Sequence, residues 1–323
     1  MRCEAAALGL FLRWGIFPSQ EDAMFKGCMT ALITPFRGGA VDEKAFQAFV
    51  DWQIKQGING VVPCGTTGES PAMAHEEHKR VNQLCVDASA GRVPVIAGCG
   101  SNYTDEAIAL TVHAKEIGAD ASLQVTPYYN KPTQEGLYAH FKAIHDAADL
   151  PMVIYNIPGR SVVDMAVTTM ARLAELPNVV GVKDATNDLA RPVQTREKIG
   201  ANFSQLSGED GTVGAFLGQG GHGIISVVSN IAPAIAVSMH DAWWAGDIAT
   251  FSAVRDRLHP LSRALFVETS PAPVKYAASL LGICEETVRL PLVTPTEPTC
   301  ALVREVVAEL GLRGPSATAK AAE

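Results

Sequence analysis

Cysteine never occurs as a Cys-x-x-Cys pair. The seven cysteines, Cys3, Cys28, Cys64, Cys85, Cys99, Cys284 and Cys300, are odd in number and scattered. That excludes a disulfide scaffold and a thiolate zinc site, and points to a reducing, cytoplasmic compartment. No apolar run approaches the ~18 residues needed to span a bilayer, so no membrane role is expected. Charged residues are sparse at 19%, and the formal net charge of −8 excludes nucleic acid as the main partner. There is no G-x-x-x-x-G-K-[ST] phosphate loop. The one G-x-G-x-x-G match, Gly218-Gln-Gly220-Gly-His-Gly223, precedes an apolar run, whereas a dinucleotide fingerprint must follow one. His75-Glu-Glu-His78 sets its histidines three apart, not four as in the zincin motif, and reads as a solvated helical turn or a ligand-contacting surface. No metal and no cofactor is expected.

What is present is apolar: 47% of 323 residues, enough for a large core. Residues 1–23 contain a short apolar stretch interrupted by Arg13, with no small-x-small cleavage pattern, and read as an extension before a start at Met24. Short apolar runs then recur at 29–34, 60–63, 93–97, 121–126, 152–155, 179–182, 203–206 and 224–228. They are nearly continuous in apolar character, as strands covered on both faces are. Between them lie helical patterns. Residues 43–56 put Phe46, Phe49, Val50 and Ile54 on one stripe, stopped by Gly57, and 105–117, 136–148 and 167–176 repeat the scheme.

Strand followed by helix, eight times over, predicts an α/β fold of the (β/α)8 TIM-barrel class. An open doubly wound sheet is the competitor, and even spacing favours closure. Helical patterns at 234–245, 248–265, 273–281 and 297–310 follow the last strand. The expected layout is therefore an extension at 1–23, a barrel at 24–247, a C-terminal helical appendage at 248–312 and a disordered tail at 313–323.

Barrel active sites form at the C-terminal ends of the strands. Gly65-Thr-Thr-Gly-Glu69 follows the second run, and its glycines and hydroxyls suit a carboxylate or phosphate cradle or an ordinary turn. Tyr128 and Tyr129 follow the fourth run. Tyr155 ends the fifth, with Arg160 beyond it on a loop and suited to a bidentate carboxylate. Lys183 ends the sixth. A lysine there, desolvated, is a nucleophile for a carbonyl; alternatively it snorkels to solvent or pairs with Asp184. Four strands that place reactive side chains at one end outweigh any single motif.

GTTGES at 65–70, VTPYYNKPTQEG at 125–136, YNIPGR at 155–160 and GVKD at 181–184 resemble the dihydrodipicolinate synthase family from about residue 25 to 312. That family belongs to the pyruvate-dependent class I aldolases, with N-acetylneuraminate lyase. The resemblance implies that Lys183 forms a Schiff base with pyruvate. Tyr155 would relay protons with Thr66 and with Tyr129, which would reach in from a neighbouring subunit. Thr67, with the backbone of Ile225, would hold pyruvate, and Arg160 the carboxylate of L-aspartate 4-semialdehyde. The product would be 4-hydroxy-tetrahydrodipicolinate, on the route to diaminopimelate and lysine, and the assembly a homotetramer built as a dimer of dimers.

The resemblance also implies an allosteric pocket for L-lysine from Ser70, Pro71, His75, His78, Asn102, Glu106 and Tyr128, with proline where alanine is usual, and hence feedback inhibition. Two alternatives stay open at this point. One is a pyruvate aldolase acting on a sugar acid, against which Thr66 and Arg160 speak. The other is a non-catalytic lysine-binding sensor, against which the full set Lys183, Tyr155 and Thr66 speaks.

Overall fold

The computed structural model describes residues 23–315. The expected extension up to residue 22, with Cys3, and tail residues 316–323 lie outside the described residues. In chain order the strands are β1 (Gly27–Ala31), β2 (Phe36–Arg37), β3 (Ala40–Val41), β4 (Gly60–Val62), β5 (Ile96–Gly98), β6 (Ala121–Val125), β7 (Met152–Asn156), β8 (Val179–Asp184), β9 (Ser204–Ser207) and β10 (Gly223–Ser226). β2 and β3 make a small antiparallel hairpin. The other eight form one parallel sheet in the order β4-β1-β10-β9-β8-β7-β6-β5.

The sheet closes on itself. Val61 and Val95 form a parallel bridge between its two ends. The Val61 N–H donates to the Pro94 carbonyl at 3.0 Å, and the Gly98 N–H to the Pro63 carbonyl at 3.0 Å. Closure decides for the barrel over the open sheet. Each expected apolar run supplies one strand. β5 starts later than its run because Pro94 has no N–H and the Val95 N–H donates to the Asp120 carboxylate at 2.8 Å. Gly223 sits where the β1 and β10 backbones meet: a Cβ there would lie 2.0 Å from the Gly27 carbonyl oxygen. The last glycine of the G-x-G-x-x-G match thus serves strand packing.

The helices are α1 (Glu43–Lys55), α2 (His75–Ser89), α3 (Thr104–Glu116), α4 (Gln134–Ala147), α5 (Pro158–Ser161), α6 (Val167–Ala174), α7 (Arg191–Ile199), α8 (Val213–Gly218), α9 (Pro233–Trp244), α10 (Ile248–Leu265), α11 (Ala272–Leu280) and α12 (Glu297–Glu309). α1 shows why they form. The Asp42 carboxylate caps it by accepting from the Ala45 N–H at 3.1 Å, Phe46, Phe49 and Val50 are buried, and Gly57 turns the chain away at φ +88°. α2, α5, α7 and α8 are not among the expected helices, and α5 is a single turn where a loop is expected. α7 is mostly polar (RPVQTREKI) and α8 only six residues long, so neither carries a strong apolar period.

Met29, Ala31, Val62, Ile96, Leu123, Val153, Tyr155, Leu206 and Ile225 fill the barrel interior as one apolar cluster. Outside it, α10, α11 and α12 share a core with the strands and α1: Leu261, Val274 and Val303 lie in the same cluster as Cys28, Leu32 and Phe46. The C-terminal helices are thus built into the barrel wall. Gly314, at the start of the expected tail, is buried against Leu281.

Candidate active site

The parallel register sets Tyr155 opposite Lys183 and Asn156 opposite Asp184 on β7 and β8. Side chains alternate across a strand. Tyr155 belongs to the interior cluster, and Lys183 shares its row. The Lys183 side chain is buried, at 6% exposure, and its Nζ lies 4.2 Å from the centroid of the Tyr155 ring. Desolvation pulls its pKa down to about 8, with Glu209 and Asp210 opposing and Arg160 assisting. At pH 7 about one amine in ten is then neutral.

Asp184 is turned to the other face. Its carboxylate pairs with Arg191 at 3.2 Å and accepts from the Thr186 N–H at 2.9 Å and hydroxyl at 2.7 Å. Arg191 also holds Asp164 and the Met165 carbonyl. This network excludes the reading in which Lys183 pairs with Asp184.

Burial pushes the Tyr155 phenol up, Arg160 pulls it back, and a hydrogen bond with the Thr66 side chain does the same. Thr66 stands on a tight turn closed by Gly68 N–H to Gly65 carbonyl at 3.1 Å and Glu69 N–H to Thr66 carbonyl at 3.1 Å. The Thr34 hydroxyl pins the turn by donating to the Gly68 carbonyl at 2.7 Å. A Cβ at Gly68 would lie 3.1 Å from both the Cys64 nitrogen and the Leu32 carbonyl oxygen, so glycine fits that contact. Thr67 is buried beside it, and Ile225 is buried in β10. Arg160 lies on the single turn α5, where one guanidinium N–H donates to the Ser270 carbonyl at 3.2 Å.

A cavity of ≈ 630 Å³ opens beside this cluster, and Thr66, Tyr155 and Arg160 share its lining with Ser70, His75 and Glu106. Pro71, His78 and Tyr128 line it as well. Asn102 stands behind Tyr128, donating to its carbonyl at 3.2 Å. The His75 imidazole and the Ser101 hydroxyl both meet the Glu106 carboxylate. His78 is buried, and its Nε2 lies 2.7 Å from the Gly98 carbonyl oxygen. The expected solvated turn is therefore the first turn of α2, with His75 outside and His78 inside.

Of the expected site residues, one chain brings together Lys183, Tyr155, Thr66 and Arg160, and Thr67 follows Thr66 on the same turn. Tyr129 is not brought to them: it is 92% exposed, with φ +71°. The sequence reading missed Glu209 and Asp210. They follow β9, at the same end of the barrel as Lys183, and act on its charge. Asp210 is half-buried and accepts from the Ser226 hydroxyl at 2.5 Å and the Val227 N–H at 2.8 Å. The signal was available, since Ser207-Gly-Glu-Asp210 ends the seventh apolar run as Lys183 ends the sixth.

A buried, partly neutral amine against a tyrosine ring whose phenol bonds the Thr66 side chain can add to a carbonyl and move protons. Comparison with known proteins agrees with that chemistry. The family model described as the dihydrodipicolinate synthetase family matches residues 24–309. A 4-hydroxy-tetrahydrodipicolinate synthase of Rhodospirillum centenum is 67% identical over 289 residues, covering 90% of this chain and 99% of the relative. The crystal structure of the dihydrodipicolinate synthase from Aquifex aeolicus superposes with a TM-score of 0.88 at 43% identity, over 89% of this chain and 99% of that one. A lysine-bound structure of the enzyme from Cyanidioschyzon merolae gives a TM-score of 0.87 at 37% identity, over 90% and 99%. With model, relatives and barrel in agreement over nine-tenths of its length, the chain belongs to the dihydrodipicolinate synthetase family.

Proposed function

We propose that the chain condenses pyruvate with L-aspartate 4-semialdehyde to 4-hydroxy-tetrahydrodipicolinate, the reaction for which its Rhodospirillum relative is named. The observation that carries this reading is the Lys183 amine, buried under the barrel mouth and drawn to about 8 by desolvation, against the Tyr155 ring and its Thr66 partner.

The neutral Lys183 amine attacks the pyruvate ketone, and loss of water leaves an imine. Thr67 and nearby backbone hold the pyruvate carboxylate, with the Ile225 main chain closing one side. Tyr155, bonded to Thr66, takes and returns the protons of addition and dehydration. Loss of a methyl proton gives the enamine, whose carbon attacks the aldehyde of the second substrate. Arg160 holds that substrate's carboxylate with the guanidinium edge not bound to Ser270. The substrate's own amine then attacks the imine carbon, closes the ring and releases Lys183 as the free amine.

Tyr129 completes the proton relay from a neighbouring subunit, in a homotetramer made as a dimer of dimers. Its exposure on the single chain supports this role. Sedimentation of the active enzyme, with a Tyr129→Phe variant assayed beside it, tests both points. L-Lysine binds in the cavity beside Glu106 and inhibits, with Glu106 taking its ammonium and Ser70, Pro71, His75, His78, Asn102 and Tyr128 around it. The six described cysteines are free thiols, which supports a reducing, cytoplasmic setting. Among the described residues no helix is long and apolar enough to cross a membrane. In domain terms, residues 24–247 form the barrel and 248–312 the helical region that braces it.

Borohydride trapping tests the reading. Protein is mixed with pyruvate, reduced, digested and weighed by mass spectrometry. An adduct on the Lys183 peptide is expected, and folded protein with an unmodified Lys183 would overturn the mechanism. Turnover of aspartate semialdehyde, and not of N-acetylneuraminate, is expected from Thr66 and Arg160.

A further inference from the structure

A buried ion pair lies outside the reacting groups. Lys275 on α11 donates from Nζ to Glu69 Oε1 at 2.7 Å, and both side chains are wholly inaccessible to solvent. Replacing such a pair by well-packed apolar residues is often neutral or stabilising, so fold stability alone does not account for it. Its position gives a better account. Glu69 ends the turn that carries Thr66 and Thr67, and it holds φ +58°, a left-handed conformation uncommon outside glycine. Its second oxygen accepts the Arg289 N–H at 2.8 Å. The Arg289 side chain clamps Glu77 by two hydrogen bonds of 2.8 and 2.7 Å and donates to the Ala72 carbonyl at 3.0 Å. Lys275 and Arg289 both stand against the Phe36 ring, at 4.1 and 4.2 Å from its centroid. Every tether of the Glu69 carboxylate comes from beyond residue 270.

The same C-terminal segment reaches the other substrate group. The Ser270 carbonyl, just before α11, receives the Arg160 guanidinium. We propose that Lys275 and Glu69 are positioning residues for the condensation: through them α11 holds the Thr66–Thr67 turn in its left-handed exit and sets it at a fixed distance from Arg160. The C-terminal helical region is then part of the substrate-binding apparatus. Lys275 and Glu69 touch no substrate. They act by fixing where the threonine hydroxyls and N–H groups point. This rests on the reaction proposed above.

Glu69→Gln is the deciding variant, because it keeps the side-chain volume and an acceptor toward Lys275 while removing the charge. Lys275→Met is measured beside it. The readouts are cooperative melting by circular dichroism, the steady-state split of kcat and KM, and the pyruvate concentration that half-saturates borohydride trapping on Lys183. Folded variants with pyruvate half-saturation raised about tenfold, and kcat lowered less than the KM is raised, are expected. Folded variants with half-saturation within twofold of wild type would overturn the proposal. An unfolded Glu69→Gln would overturn it too, since the pair would then be a requirement of the barrel and not of the turn. Wild-type protein trapped in parallel separates the two questions: with its Lys183 adduct present, unaltered variants sink only the brace, whereas no adduct in wild type sinks the reaction itself.

Discussion

Tyr155 and Lys183 are register partners on neighbouring parallel strands, and the lysine Nζ sits 4.2 Å from the centre of the tyrosine ring. One pairing therefore delivers both the proposed nucleophile and its proposed proton-transfer partner to the same row of the barrel. The ring desolvates the amine on one side, and the phenol, hydrogen-bonded with Thr66, is free for the proposed proton transfer.

The pH dependence of imine formation follows from that burial. Lys183 titrates at about 8, below the ordinary lysine value. Only the neutral amine attacks, so falling pH through 8 protonates the nucleophile. The rate of trapping at fixed sub-saturating pyruvate is expected to rise about tenfold per pH unit below 8 and to flatten above it. Rapid-quench borohydride trapping between pH 5.5 and 9.5 measures it. A flat profile across pH 6–8 would contradict a lysine perturbed in this way.

Removing the phenol while keeping the ring isolates its proton role. Tyr155→Phe should leave the Lys183 environment apolar and the fold intact, and should lower kcat by about 10²–10⁴-fold, the usual worth of a positioned acid–base group. Steady-state assays with both substrates check this, and a loss under threefold would assign the proton transfer elsewhere.

Arg160 holds Ser270 with one N–H at 3.2 Å. Arg160→Lys keeps the charge but loses the planar fork, so it cannot hold Ser270 and a carboxylate together. The KM for aspartate semialdehyde should rise about tenfold or more while half-saturation by pyruvate changes little. An equal rise for both substrates would mean that Arg160 serves the mouth as a whole.

Lysine at millimolar concentration is expected to slow the wild-type enzyme. Glu106→Gln should weaken that inhibition about tenfold and leave uninhibited turnover within twofold, because Glu106 is held by His75 and Ser101 and is not among the charges acting on Lys183 or Tyr155. Calorimetry of lysine binding on both proteins is the direct check. Equal affinity in the two would remove Glu106 from the ammonium site.

Some of this was legible in the chain itself. Runs such as VVGV before Lys183 and MVI before Tyr155 are apolar on both faces, which marks buried parallel strands, and the polar residue ending each run marks the mouth. α7 and the Pro94 end of β5 were not legible. A polar helix holds its shape through tertiary contacts such as Arg191 with Asp164, and a strand beginning beside a proline takes its first ladder bonds from neighbours distant in sequence.

The sequence by itself determined the number of barrel strands, the end of the barrel that carries the candidate site and the residue types available there. Those follow from local periodicity and from where each apolar run stops. Only the tertiary structure decided three further matters. Closure depends on β4 meeting β5, which no local pattern encodes. The state of Lys183 depends on burial and on Glu209, Asp210 and Arg160, brought from separate strand ends to surround one amine. The hold on the Thr66–Thr67 turn depends on Lys275, 206 residues further along the chain than Glu69. Desolvation and ion pairing are properties of assembled surroundings, so they arise only when distant segments share a core.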